Sequence, residues 1–331
     1  MREIGSEFWN VPISTEEKGS FTESTQWYLS GRSALQAIIA ELKECHTAAL
    51  PAWCCDSMIK PFEDAGIEVL FYPVWTDGRI GQQPRTDCEI LFLMDYFGYT
   101  QPEPETADYR GIIIRDETHS VFSRSYHDAD YYFGSMRKWC GVWTGGYART
   151  KDGHKLLAGS DSGQQYVDLR KEAMEQKKAY IKGRSTEKEY LKVFAEAEEM
   201  LDGTGIVSAA ERDVRLIRYI DMEQVKVQRR ANAAILQAAF PEWLIFPEMN
   251  ENDCPMFVPI LVPEGKRDLL RKHLIAHSIY CPVHWPISKH HRLTEAERFL
   301  YDNELSLVCD QRYVSEDMIR IVNTIREFMG E

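Results

Sequence analysis

From Ser30 onward the apolar positions alternate between helical spacing and short continuous runs. In SGRSALQAIIAELKEC (30–45), Leu35, Ile38, Ile39 and Leu42 recur at helical intervals, which predicts a helix starting near Ser33. TAALPAWCC then predicts a short strand ending in a loop, and DSMIKPFEDAG a helix closed by Gly66. Three apolar runs rich in β-branched and aromatic residues follow, IEVLFYPV, EILFLMDYFG and GIIIRDETHS, and ADYYFGSMRKW and GGYART continue them. Such strands with intervening helices predict an α/β fold, a mainly parallel sheet covered by helices on both faces.

The pattern changes near Gln164, where a charge-dense stretch to Asp202 keeps Tyr190, Leu191, Phe194 and Leu201 at helical spacing and so predicts solvated helices. GTGIVS interrupts them, and a long helix is predicted from about Ala209 to Phe240. An α+β unit closes the chain: strand CPMFVPILV, helix GKRDLLRKHLIAHS, strand LSLVC, and a last helix capped by Ser315. At 331 residues the chain exceeds what one core usually holds. We expect a large domain over 1–205, with an N-terminal arm at 1–29, and a smaller α+β domain over 206–331.

Composition and charge narrow the partners. A net charge of −13 leaves little electrostatic reason to bind nucleic acid or an anionic membrane. Neither a signal-peptide core nor an apolar run of membrane-spanning length is present, so a cytoplasmic protein is expected. The eight cysteines lack C-x-x-C spacing and read as reduced, buried apolar residues. G-x-G-x-x-G after a strand, G-x-x-x-x-G-K-[ST], H-E-x-x-H and G-x-S-x-G are all missing, which removes the usual dinucleotide, nucleotide, zinc-protease and hydrolase signatures. His273 with His277 and Cys281 with His284 have metal-like spacing, but no further ligand converges in sequence, and no metal is expected.

YYFGSMRKWCGVWTGG (131–146) sets Lys138 among aromatics and glycines. Such a lysine reads either as a desolvated amine, nucleophilic toward carbonyls, or as a side chain that snorkels past Trp139. A pyridoxal-phosphate site would need that amine, a carboxylate for the pyridine nitrogen, an anion site and a flat group against the ring. Asp116 stands at the carboxyl end of a predicted strand, the SGRS turn offers a helix N-terminus, Trp53 follows another strand, and Ser135 precedes the lysine by three positions.

In this order the residues resemble the DegT/DnrJ/EryC1/StrS family of fold-type-I pyridoxal-phosphate sugar aminotransferases, through SGRSAL (30–35), RDETHS (115–120), GSMRKWCGVWTGG (134–146) and LSLVCDQRYVSEDMIRIVNTI (305–325). The resemblance implies a fold-type-I PLP-transferase-like mixed sheet and a large domain that binds the cofactor. Lys138 would form the Schiff base and shuttle a proton, Asp116 would pair with the pyridine nitrogen, and His119 would support Asp116 or the ring hydroxyl. Gly31, Ser135 and the amides of Arg32, Ser33 and Ala34 would hold the phosphate, and Trp53 would stack. It further implies a homodimer, with glutamate as amino donor and a keto-sugar-like acceptor. YCPVHWPIS (280–288) is a candidate substrate loop through His284 and Trp285. A pyridoxamine-dependent dehydratase and a non-catalytic binding or assembly protein are the rival readings.

Overall fold

The computed structural model describes residues 3–19, 21–76, 80–123 and 127–330. After a two-residue strand β1 (Ile4–Gly5) and β2 (Gln26–Tyr28) comes α1 (Gly31–Ile39). The alternation continues through β3 (Thr47–Pro51), α2 (Asp56–Asp64) and β4 (Glu68–Tyr72), then a small hairpin of β5 (Val74–Thr76) and β6 (Ile80–Gln82). β7 (Ile90–Met94), β8 (Ile112–Asp116), β9 (Tyr131–Ser135) and β10 (Gly146–Thr150) complete the main sheet.

That sheet has seven strands in the order β2-β10-β9-β8-β7-β3-β4. From β9 to β4 all neighbours run parallel, while β10 is antiparallel to both β9 and β2. All five residues of β7 are buried, as a strand covered on both faces requires. α1 begins two residues before the predicted Ser33, because Ser30 is its N-cap and accepts the Ser33 amide. Gly146 lets β10 pass this cap, since a Cβ there would lie 1.9 Å from Ser30 O.

The charge-dense stretch folds as α3 (Gln164–Ile181) and α4 (Tyr190–Met200). The single long helix predicted beyond them is two, α5 (Glu211–Ile217) and α6 (Met222–Ala239). The break has a tertiary cause: the amides of Ser14 and Lys18 take the carbonyls of Tyr219 and Arg218, and Asp221 caps α6 by accepting the Gln224 amide.

The C-terminal part contains β11 (Val258–Leu261), α7 (Arg267–Ala276), β12 (Ile279–Tyr280), α8 (Glu295–Asn303), β13 (Glu304–Leu307) and α9 (Ser315–Met329). α8 escaped the periodicity reading although its Thr294/Glu297 capping box is written in the sequence. Ser315 is the first residue of α9 and Val314 its cap, whose amide the Asp317 carboxylate accepts. β11 pairs with β13, and β12 pairs in parallel with the N-terminal β1, so Ile4 joins the apolar core of α6, α7 and α9. Among the described residues no helix is long and apolar enough to cross a membrane.

Candidate active site

The site lies beyond the carboxyl ends of β8 and β9, where open parallel sheets leave a crevice. Asp116 ends β8 and is wholly buried. Its Oδ1 accepts the Thr118 amide at 2.8 Å, a local turn typical of aspartate, whereas Oδ2 has no hydrogen-bond partner among the described residues. Burial pushes this carboxyl up to about 7, against the Thr118 hydrogen bonds and the nearby Lys138 charge, which favour the anion.

Lys138 closes a 3-10 turn, Met136–Lys138, that follows β9 directly. The turn is clamped to the Asp116 loop by its neighbour, since the buried Trp139 indole donates to Thr118 O at 2.7 Å. The aromatic residue beside the lysine is therefore core, and Lys138 itself is exposed. This corrects the expectation of a desolvated amine, because flanking aromatics in sequence point away from the side chain they flank. The Lys138 charge nevertheless acts on Asp116, His119, His284 and Glu198.

Two cavities meet at Arg137, Lys138 and Glu198. The smaller, of about 70 Å³, is bordered by Ser30, Gly31, Arg32, Thr118 and Ser135. The α1 N-terminus and Ser135 adjoin there, as a Cβ on Gly31 would sit 3.5 Å from that of Ser135. The Ser33 and Ala34 amides are already engaged by Ser30, so of the predicted anion-binding group the amides of Gly31 and Arg32 remain without an acceptor among the described residues. The Arg32 guanidinium pairs with Asp202 at 2.5 Å.

The larger cavity, about 630 Å³, runs from Lys138 to Glu7, Arg170, Arg271, Tyr280 and His284. His284 is oriented from behind: its amide donates to Glu304 Oε2 at 2.6 Å and its Nδ1 lies 2.8 Å from Ser306 Oγ. Burial, then the Lys138 charge, brings His284 down to about 3, and burial likewise drives His119 well below the ordinary histidine range. Both rings are neutral at pH 7. Their centroids stand 5.6 Å apart.

Neither cavity is bordered by Trp53 or Trp285, nor by the buried Asp116 and His119. Trp53 is buried, stacks on Tyr96 at 5.1 Å and donates its indole N–H to His284 O at 2.6 Å. Trp285 lies over His119 at 5.7 Å and edge-on to Trp53. Both support the wall behind the site because a buried indole needs an acceptor or an aromatic neighbour. Sequence reasoning missed Thr118, whose place two residues after Asp116 is a readable turn signal, and Glu198, which had none. Partial burial would raise the Glu198 carboxyl, but Arg137, Lys138 and Arg170 outweigh it and hold it at about 2.

No family model matches the sequence, and no curated protein matches it. Solved structures match over almost the whole chain. A DegT DnrJ EryC1 StrS aminotransferase from Brucella abortus aligns at 15% identity and TM-score 0.64, over 93% of this chain and 86% of that one. PseC of Helicobacter pylori, an aminotransferase of pseudoaminic acid biosynthesis, aligns at 15% identity and TM-score 0.64, over 97% and 99%. The PLP-form of Spr1654, a sugar aminotransferase of Streptococcus pneumoniae, aligns at 14% identity and TM-score 0.60, over 92% and 86%. The chain has the fold of these aminotransferases, as the sequence resemblance implied.

Proposed function

We propose that a protein with this fold and this strand-end constellation is a pyridoxal-phosphate-dependent aminotransferase, carrying an amino group from glutamate to a keto-sugar-like carbonyl acceptor. The carrying observation is Asp116 Oδ2, a buried carboxylate oxygen that has no hydrogen-bond partner among the described residues and feels the Lys138 charge. An unpartnered buried acceptor is costly unless a ligand donor completes it, and a protonated pyridine nitrogen is such a donor. The solved relatives of like fold include PLP- and PMP-forms of a sugar aminotransferase.

When bound, pyridoxal phosphate supplies the electron sink for breaking a bond at the substrate carbon. The chain holds and moves the proton. Lys138 Nζ takes it from the amino donor's carbon and returns it to the acceptor, Asp116 Oδ2 keeps the ring nitrogen protonated, and neutral His119 supports the ring hydroxyl. The free amides of Gly31 and Arg32, with Ser135 Oγ, hold the phosphate at the positive end of α1. A group seated in this cleft displaces the water that reaches Lys138. His284 faces the substrate from the C-terminal side. On this reading residues 1–205 carry the cofactor, residues 206–331 supply the substrate side, and the chain works as a cytoplasmic homodimer. The test is the half-reaction: glutamate added to protein loaded with pyridoxal phosphate shifts the cofactor's absorption band. If no amino donor shifts it, the amino-transfer reading fails and cofactor binding alone remains.

A further inference from the structure

A cluster away from both cavities has no part in this chemistry. His273 and His277 stand one turn apart at the end of α7, and α9 brings Glu327 to them, so that a ring nitrogen from each and a carboxylate oxygen lie within 4.8 Å of one another. We propose that His273, His277 and Glu327 form a site for one divalent cation of the zinc, cobalt or nickel class.

The hydrogen bonds prepare the ligands. His277 Nδ1 lies 2.9 Å from His273 O, and a carbonyl only accepts, so Nδ1 carries the proton and the Nε2 of the neutral ring presents its lone pair. This is the outer-shell arrangement that orients metal-binding imidazoles. His273 Nε2 is shut off from solvent and has no hydrogen-bond partner among the described residues, a loss that a metal bond would repair. The two rings are 4.4 Å apart, and Phe328 packs against His273 at 5.4 Å, which fixes that ring. The exposed Glu327 carboxylate makes no hydrogen bond or ion pair among the described residues, so it can swing inward.

Helix geometry adds an attraction for cations. α7 ends at Ala276 with His277 as its C-cap, and α9 ends at Met329 with Gly330, so two negative dipole ends converge here. Lys272 and Arg326 flank the ligands in sequence but are exposed, and water screens their repulsion. Two imidazoles and one carboxylate suit zinc-like ions over calcium or magnesium, with a fourth position left to water. None of the three residues borders the Lys138 cavities. The ion would tie the last helix to α7.

The experiment titrates chelator-treated full-length protein with zinc by calorimetry, and with cobalt by visible absorption. We expect one equivalent per chain at a dissociation constant on the order of micromolar, a tetrahedral cobalt spectrum without a thiolate band, and a zinc-dependent rise in melting temperature. His277→Ala should weaken binding by at least about tenfold, and the surface change Glu327→Gln, which folds whatever happens to the histidine variant, by about tenfold. Uptake that survives both changes, a cobalt–thiolate band from the cysteines, or no uptake at millimolar zinc each overturns the site.

Discussion

Lys138 ends the turn after β9 beside Trp139, and Lys177 lies toward the C-terminal end of α3 beside Lys178; the first is exposed where two cavities meet, the second is wholly buried. Lys177 sits 3.3 Å from Glu3 Oε1 with the rings of Trp9 and Tyr190 at 5.1 and 5.5 Å. Glu3 is held from its other side by Lys188, which is 2.7 Å from Oε2 and also meets Tyr280 OH. The aromatic surroundings that the sequence offered to Lys138 are thus realised around Lys177, in a helix that reads as solvated. Burial of a lysine is a property of what packs over it, here the N-terminal arm. Chemistry requires reach into a cleft, and only Lys138 has that.

Substitutions sharpen the contrast. The largest effect is expected from Lys138→Ala, which should lower transamination at saturating cofactor by about 10²–10⁴-fold, the range for losing a positioned proton carrier. Turnover within a few-fold of the parent chain would remove Lys138 from the reaction and abolish the distinction.

Asp116→Asn comes next, with a loss of about 10²–10³-fold in turnover and an opposite effect on stability. Because burial raises the folded carboxyl to about 7, from about 3.9 unfolded, the folded state holds an extra proton between these values. The stability gained from that proton is complete below about pH 4 and lost as the pH rises through 7. The asparagine protein without cofactor should therefore melt about 2–4 °C higher than the parent at pH 8, and the gap should close toward pH 5. A pH-independent gap would contradict the burial argument.

Lys177→Met should do least. Lys188 still pairs with Glu3, so we expect a stability change within about 1 kcal/mol at pH 7 and unaltered turnover. Burial and the Arg312 charge lower Lys177 to about 8, against the pull of Glu3 and Glu7. Between pH 8 and about 10.5 the unfolded chain holds a proton that the folded chain has released, so stability rises with pH in this window. The methionine protein should lack that rise in urea melts compared at pH 7 and 9.5.

The helices and strands that carry the site were legible wherever their signal was local. Apolar runs gave β3, β4, β7 and β8; Asp116 at a strand end and Ser135-x-x-Lys138 gave two of the candidate site's ionisable residues; SGRS gave the start of α1, displaced to its true cap at Ser30. The break between α5 and α6 was not legible, because residues 14–18 take the carbonyls that would have continued the helix.

Period, turn chemistry and motif spacing act over a few residues, and so the sequence by itself determined the alternating sheet, the aspartate and the lysine. Whether a side chain is covered, and by what, depends on residues tens to hundreds of positions away. Tertiary structure alone decided that Trp53 supports His284 across the core, that Glu3 covers Lys177, and that Glu327 meets the histidines of α7. Desolvation and ligand convergence arise only when distant segments share one volume, and no local pattern encodes that.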